Sequence, residues 1–442
     1  MAGTASPGES NYRLLASFVI NEVLTHTDPP LEDAIELFNP TDGPVAIGGW
    51  YLSNSQSDFK KFRIPDGTTV QPGGYFVFYE NQFNLIPNVP PSFTLNSAHG
   101  DAVYLSEADA AGNLTGYRAF VKFGAAENGV SFGRYVTSTG VDFVAMNQRT
   151  FGADNPATLG EFRIGTGRTN SAPRVGPVVI NELMYHPATV AGTNATENPN
   201  EEFIELHNLA TSGTPLFDPA HSTNTWRLRG GVDFNFPLNV ILPASGFLLV
   251  VNFDPATNAT AVAAFRSKYR VPAGVPMFGP YGGKLDNGGE SIELYKPDPP
   301  QLPPHPDAGF VPYVLVDRVA YTDQLPWPVE AGGRGASLQR RISADYGNDP
   351  INWKADPPTA GQSNSTDRII SLAILTGMDP DGRFHLLVTG QAGINLVLQA
   401  STNLLNWISL MTNNAPNGVL DFTDPNAPNF KARFYRALIP SP

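Results

Sequence analysis

The chain has 442 residues and a formal net charge of −13, with 41% hydrophobic and 16% charged residues. It contains no cysteine, which excludes disulfides, cysteine-ligated zinc and thiol nucleophiles together. The length predicts about three domains, and the acidic charge disfavours nucleic acid and anionic membranes as partners.

Glycine (42 residues) and proline (41 residues) are abundant. Many short strands joined by tight turns produce such a composition, whereas a helical enzyme does not. No apolar run reaches the roughly 18 residues of a membrane span. The first ten residues lack the basic and apolar regions of a standard signal peptide. These observations favour an all-β protein without a membrane span.

One strand pair occurs twice along the chain. The sequence Ile-Asn-Glu at residues 20–22 is followed by Ile-Glu-Leu-Phe-Asn at 35–39, and the same pattern returns at 180–182 and 204–208. The β-branched and aliphatic residues with interleaved polar ones predict strands. The ordered recurrence predicts a module that is used twice.

Turn signals divide the chain into five segments. Each module contains roughly seven short strands, which is typical of an antiparallel β-sandwich. We predict a tail at 1–13, a first sandwich at 14–152, a linker at 153–177, a second sandwich at 178–362 and a smaller β-sandwich domain at 367–442.

The second module carries an insertion without a counterpart in the first. Within residues 254–270, Val262, Phe265 and Tyr269 fall at helical spacing. We therefore predict a short amphipathic helix near residues 257–270.

The order of motifs within each module resembles the lamin-tail domain. The two strand motifs are followed by a Trp-x-Leu strand (50–52 and 226–228), a proline-glycine turn before an aromatic strand, and a closing Gly-x-Ser strand (129–131 and 335–337). The resemblance covers two tandem copies of the kind found in exported bacterial proteins. It implies immunoglobulin-like sandwiches without intrinsic catalysis. Residues 398–407 and 434–437 are similar to small C-terminal β-domains of Verrucomicrobia-type exported proteins.

Several motifs suggest chemistry but lack their required context. Gly129–Gly133 matches the Gly-x-Ser-x-Gly nucleophile elbow, which needs a helix after the serine, and none is predicted there. The seven histidines show no zinc-binding spacing. Residues 379–382 resemble half a calcium loop without the remaining ligands, and a β-turn explains them better. We predict no catalytic residue, no metal site and no cofactor.

Four repeated glutamates remain as candidates. Glu22 and Glu36 lie on neighbouring strands of the first module, and Glu182 and Glu205 hold the same positions in the second. Such a pair could act as acid and base or bind a cation. Glutamates on the solvent face of a sandwich strand are common, and we interpret these four in that way.

The candidate ligand-binding residues lie in the loop at 279–288. Tyr281, Lys284, Asp286 and Asn287 combine an aromatic ring with polar groups, as carbohydrate sites do. The alternative is that the glycines of this loop only let the chain turn into the next strand. Trp327 and Trp353 are the other aromatic residues that the repeat does not explain.

These observations predict a non-catalytic, structural or adhesive multi-domain protein located outside the cell or at the cell surface. Its expected partners are other proteins, cell-surface components or glycans. The alternative is a carbohydrate-binding accessory region of a larger secreted bacterial protein, which would need exposed tryptophan and tyrosine rings on one face.

Overall fold

The computed structural model describes residues 11–87, 89–188, 197–305, 307–364, 370–378, 383–390, 394–415 and 419–438. It divides into two compact units, Met1–Asn364 and Ser365–Pro442. Strands dominate both units, which confirms the predicted all-β class with immunoglobulin-like sandwiches.

The first unit begins with a sandwich of two five-stranded sheets, here called sandwich 1. One sheet has the strand order Arg13–Leu14, Leu114–Phe123, Asp101–Ala108, Tyr51–Ser53, Phe62–Arg63. The other has the order Gly140–Ala145, Ser131–Thr137, Val19–Leu24, Ala34–Phe38, Tyr75–Tyr79. Val45–Ala46 pairs separately with Thr69–Val70, and Glu80–Phe83 forms one helical turn.

The core of sandwich 1 lies between these two sheets. Trp50 from one sheet packs edge-on against Phe18 at the start of the other, with ring centroids 6.3 Å apart. Alternate residues of each strand point inward, as expected for a sandwich. The large apolar residues enclosed there include Ile20, Ile35, Leu37, Leu52, Phe78, Val103 and Leu105.

Sandwich 2 repeats this arrangement with a six-stranded and a five-stranded sheet. The first has the order Met277–Phe278, Phe247–Val251, Phe203–Asn208, Val178–Met184, Ser337–Arg340, Trp353–Asp356. The second has the order Gly282–Gly283, Val232–Asn235, Arg227–Gly230, Gly289–Pro297, Tyr313–Thr322. Short pairs join Thr214–Pro215 to Ile241–Leu242 and Phe217–Asp218 to His221–Thr225. Single 3-10 turns lie at Pro199–Glu201, Val329–Ala331 and Pro350–Asn352.

The inserted segment of sandwich 2 contains the α-helix Ala259–Tyr269, within the stretch where helical spacing predicts one. Asn258 caps its N-terminus by accepting the Ala261 N–H. Phe265 and Tyr269 pack against Phe203 on the sheet face that points away from the main core. This helix therefore buries a second face of the six-stranded sheet.

The stretch for which the sequence predicts a linker packs against sandwich 1. It contains the helical turn Leu159–Phe162, and Phe162 is fully buried against Tyr79 and Phe151. Apolar residues at 151 and 162 thus cover the outer face of the sheet that carries Ile-Asn-Glu.

The second unit contains two three-stranded sheets. Their orders are Ile370–Met378, Phe384–Gly390, Val419–Asp424 and Ile408–Ala415, Ile394–Ser401, Phe434–Leu438, with a 3-10 turn at Ala427–Asn429. Leu386, Val388, Leu398 and Leu420 form its small core. The half calcium loop at 379–382 lies outside the described residues.

Candidate functional site

The repeated glutamates form a buried polar cluster in each sandwich. In sandwich 1, Glu22 accepts hydrogen bonds from Ser131 Oγ at 2.5 Å, from the Thr150 N–H at 3.1 Å and from the Thr150 hydroxyl. Glu36 accepts a hydrogen bond from Asn21 Nδ2 at 2.5 Å. Both carboxyl groups are fully shielded from solvent.

Asn170 completes this cluster from a distant part of the chain. Its Nδ2 donates to the carbonyl oxygens of Asn21 at 3.1 Å and Arg134 at 2.9 Å, and its Oδ1 accepts from Asn21 Nδ2 at 2.7 Å. Thr150 and Asn170 mark the ends of a segment that follows the last strand of sandwich 1. We call residues 150–170 the first strap, because this cluster ties them to the sheet.

Sandwich 2 repeats the same hydrogen bonds. Glu182 accepts from Ser337 Oγ at 2.5 Å, from the Thr359 N–H at 3.0 Å and from the Thr359 hydroxyl at 2.8 Å. Glu205 accepts from Asn181 Nδ2 at 2.8 Å and from the Gly361 N–H at 2.5 Å.

Asn364 takes the part of Asn170 in this second cluster. It donates to the carbonyl oxygens of Asn181 at 3.0 Å and Arg340 at 2.8 Å. Residues 357–364, which we call the second strap, are thereby attached to the sheet. Six polar positions are thus duplicated with their contacts: Asn21/Asn181, Glu22/Glu182, Glu36/Glu205, Ser131/Ser337, Thr150/Thr359 and Asn170/Asn364.

The interpretation of these glutamates as solvent-face residues is wrong. All four are fully buried, because a strap covers the sheet face to which they point. The repeated glutamates therefore belong to the interior of each sandwich.

Burial perturbs the acidity of these groups. Loss of hydration raises the pKa of Glu36 to about 8, and the neighbouring Glu22 carboxylate adds to this rise. Burial also raises the pKa of Glu205 well above its ordinary value, with a further contribution from the charge of Glu182. Burial also raises the pKa of Glu22 and Glu182, so all four carboxyl groups retain their protons more readily than an exposed glutamate.

The hydrogen bonds of these clusters join residues within the same sandwich. A general acid or base must contact a substrate, and none of the four glutamates lines the cavities described below. Among the described residues, no group of three or more histidine, aspartate or glutamate side chains could hold a metal ion. The clusters fasten the straps to the sheets.

The predicted ligand-binding residue Tyr281 lies in the core of sandwich 2. Its side chain is only 3% exposed, and its hydroxyl donates to Glu202 Oε2 at 2.8 Å. A ring that stacks on a sugar needs a free face. Stacking by Tyr281 therefore does not fit this geometry.

The three polar candidates near Tyr281 lie at the surface. Lys284 and Asp286 are exposed, and Asn287 is half-buried. Asp286 Oδ1 accepts the Gly288 N–H at 2.7 Å, and Asn287 Nδ2 donates to Glu197 Oε2 at 2.8 Å. Both side chains stabilise the turn into the following strand.

The other unexplained aromatic residues are also buried. Trp327 is 6% exposed and Trp353 is 1% exposed, and their rings lie 6.2 Å apart in the core of sandwich 2. Ser131, the centre of the Gly-x-Ser-x-Gly motif, begins a strand and donates its hydroxyl to Glu22. It is thus a strand-entry serine, as the sequence predicts.

Polar contacts join the two sandwiches along a seam. Asp142 of sandwich 1 accepts from Tyr346 Oη and from Asn348 Nδ2, each at 2.8 Å. Asp349 accepts the Ser138 N–H at 3.0 Å and the Ser138 hydroxyl. These four hydrogen bonds link residues 138–142 of sandwich 1, which form a hairpin turn and the start of the following strand, to residues 346–349 of sandwich 2.

The opposite part of the seam is closed by charge and aromatic contacts. Glu127 pairs with Lys296 at 2.6 Å across the seam and with Arg174 at 3.0 Å. The ring of His99 stacks on Phe310 with centroids 4.0 Å apart. Two separate sets of contacts therefore restrain the relative rotation of the sandwiches.

A cavity of about 590 Å³ lies between these two sets of contacts. Its apolar walls come from both sandwiches, including Phe143 on one side and Tyr313 on the other. The Arg227 guanidinium lies over the Tyr313 ring, with Cζ 3.4 Å from the ring centroid. Asp142, the carboxylate of sandwich 1 in this wall, is occupied by its two donors across the seam.

Comparison with known proteins supports part of the resemblance. Residues 16–122 match the family model of the Lamin Tail Domain. The match covers the greater part of sandwich 1, including the strands that carry Glu22 and Glu36. No curated protein and no solved structure matches the chain significantly. The Lamin Tail Domain is immunoglobulin-like and is generally a non-catalytic protein-interaction module.

Residues outside the matched range complete the polar cluster of sandwich 1. Ser131, Thr150 and Asn170 all follow residue 122, and the sequence motifs predict no role for Thr150 or Asn170. A Thr and an Asn follow the closing Gly-x-Ser strand in both modules. This recurrence is the sequence feature that could have indicated a shared role for them. In the described part of the chain, no helix has the length and apolarity needed to cross a membrane.

Proposed function

We propose that this chain is a non-catalytic structural and adhesive protein that acts outside the cell or at its surface. In this proposal, two lamin-tail sandwiches and a smaller C-terminal β-domain present their surfaces to other proteins or cell-surface components. The single observation that supports it most is that Glu22, Glu36, Glu182 and Glu205, the four repeated glutamates, all serve to attach a strap to its own sandwich. This role is structural.

The seam supports the same proposal. An adhesive protein that sets the spacing between two surfaces, or carries load between them, benefits from two domains with a fixed mutual orientation. Hydrogen bonds to Asp142 and Asp349 and the ion pair Glu127–Lys296 act at separate points of the seam. Restraint at separate points opposes rotation as well as separation.

The alternative of carbohydrate recognition has less support. Its best candidates were Tyr281, Trp327 and Trp353, and all three rings are buried. The exposed polar groups of Lys284 and Asp286 remain, but hydrogen-bonding groups without a stacking ring make a poor sugar site.

A cell-binding measurement tests the proposal. The full chain, labelled at one introduced cysteine such as Thr257→Cys, is added to intact cells of the source organism. We expect saturable binding that is lost after the cells are shaved with protease and is unaffected by soluble glycans. Binding that persists after shaving and is competed by glycans would favour the carbohydrate alternative instead. Absence of binding would contradict adhesion.

A further inference from the structure

The two sandwiches differ at one sheet edge. In sandwich 2, the strand Phe247–Val251 is covered by the parallel strand Met277–Phe278, which follows the inserted segment at 254–270. In sandwich 1, the matching strand Tyr75–Tyr79 ends its sheet, and in the described part of the chain no strand pairs with its outer side. We call Tyr75–Tyr79 the open edge.

The correspondence between the two edges is fixed by register. Val77 pairs with Glu36 in sandwich 1, and Leu249 pairs with Glu205 in sandwich 2. The Leu249 N–H points away from its neighbour in the sheet and donates to the Pro276 carbonyl at 3.0 Å. Because hydrogen-bonded and non-hydrogen-bonded pairs alternate along an antiparallel ladder, the Val77 N–H also points outward from its sheet.

A groove lies beside the open edge where sandwich 2 has its extra strand. It has a volume of about 450 Å³ and runs between the edge residues and residues 163–167 of the first strap. Phe76 and Val77 are half-buried there, and Ile164 on the opposite wall is 77% exposed. The outward N–H of Tyr79 donates to Gln82 Oε1 at 2.9 Å, which leaves that of Val77 in the middle of the edge. An edge with an outward backbone donor and apolar walls is a template for strand addition.

The strand Met277–Phe278, which covers the corresponding edge in sandwich 2, indicates which side chains an added strand needs. Met277 packs against the cluster around the helix, and Phe278 packs against the main core, so adjacent residues serve opposite faces. The open edge offers the same two environments. Val77 and Tyr79 belong to the outer cluster, whereas Phe76 and Phe78 face the core.

We propose that the open edge binds an extended peptide segment of a partner protein as an added parallel strand, with two adjacent large apolar residues, one for each face. This inference rests on the proposed function, since it names one class of protein partner. In its described residues, sandwich 1 has no counterpart of the inserted segment at 254–270 or of the strand that follows it, and the open edge is left for a strand supplied by another molecule.

A peptide from the chain itself is the probe. A fluorescein-labelled peptide with the sequence of residues 272–281 is titrated into the full chain, and binding is followed by fluorescence anisotropy. In a parallel ladder, the residue two positions after Pro276 donates back to the same edge residue. N-methylation at the Phe278 position should therefore weaken binding at least about tenfold, the effect of roughly 1.4 kcal/mol. N-methylation at the Met277 position should not.

The protein side is tested by Val77→Pro, which removes the outward N–H. We expect a similar loss of peptide binding, with the melting temperature measured to detect unfolding. If Val77→Pro does not fold, Val77→Cys is used instead, because the chain has no other cysteine. A peptide with cysteine at the Met277 position should then form a disulfide with Val77→Cys and not with the exposed control Thr257→Cys.

The outcomes separate this inference from the proposed function. No peptide binding, or equal loss from both N-methylated peptides, overturns strand addition at the open edge. If labelled chain still binds cells in that case, the adhesive proposal stands. If the peptide binds at the edge and cells are not bound, the edge site stands and the adhesive proposal fails. Cross-linking of two copies through Val77→Cys without peptide would overturn the assignment to a different partner protein.

Discussion

Thr359 donates both its backbone N–H and its hydroxyl to the carboxyl group of Glu182, although 177 residues separate them in sequence. Thr150 donates to Glu22 in the same way in sandwich 1. A contact that is kept in both copies, with a different length of chain leading to it, indicates that strap attachment is a shared property of the two sandwiches.

The first prediction concerns this contact. Thr359→Val preserves the shape of the side chain but leaves one buried oxygen of Glu182 without its hydroxyl donor. We expect a loss of roughly 1–3 kcal/mol in the free energy of unfolding and faster hydrogen exchange in the second strap. Thr257→Val, at an exposed position whose hydroxyl donates to the half-buried Asp254, is the control. Equal effects of both variants would contradict an attachment role.

The second prediction concerns pH. The pKa of Glu36 is raised to about 8 from its ordinary value of 4.5, mainly by burial. The group's contribution to stability is therefore fully present below pH 4.5 and is lost as the pH rises through 8. Burial likewise raises the pKa of Asp33 to about 7, so its contribution changes in the same direction.

Thermal unfolding between pH 5 and 9 measures this effect. Glu36→Gln should flatten the decrease of melting temperature with rising pH, since the amide cannot ionise, whereas Glu330→Gln, at an exposed position, should leave the slope unchanged. A Glu36→Gln profile identical to that of the parent chain would show that the buried carboxyl group does not govern the pH dependence.

The strands and the duplication could be predicted from the sequence, but the burial of the glutamates could not. Alternation along Ile20-Asn21-Glu22 shows which residues share a face, and it does not show whether another segment covers that face. Thr150 and Asn170 are 20 positions apart, whereas Thr359 and Asn364 are five apart. Because these spacings differ, a comparison of residue spacing in the two modules does not reveal that the strap contacts are repeated.

The third prediction concerns the seam. Spin labels at Ser57→Cys and Thr257→Cys, one on each sandwich, attach only there, because the chain has no other cysteine. The distribution of distances between them should be narrow, since the seam contacts hold the sandwiches in one orientation. Asp142→Ala removes the acceptor of Tyr346 and Asn348, and its combination with Asp349→Ala should broaden the distribution. Asp66→Ala, at an exposed site within sandwich 1, is the control. A broad distribution in the parent chain would contradict a fixed orientation.

The fourth prediction concerns metal. The described residues contain no cluster of metal ligands, so neither EDTA nor added calcium should shift the melting temperature by more than about 1 °C. A shift of several degrees would indicate ligands gathered from separate loops. In that case, Glu182, Glu202 and Asp286 would be the first residues to replace. Glu202 accepts the N–H of Leu285, the neighbour of Asp286 in the chain.

The last prediction separates a structural Tyr281 from a sugar-binding one. Its hydroxyl donates to Glu202 Oε2 at 2.8 Å, and burial raises the pKa of Glu202, so both partners depend on this hydrogen bond inside sandwich 2. Tyr281→Phe keeps the ring and removes only the donor, and we expect a loss of roughly 1–3 kcal/mol in stability. Lys284→Ala, at the exposed end of the same loop, should leave stability unchanged.

Both variants and the parent chain are then applied to a glycan array. We expect no glycan to be bound by any of them, because the ring has no free face. A glycan that binds the parent chain and is lost in Lys284→Ala, without a change in melting temperature, would restore carbohydrate recognition by this loop.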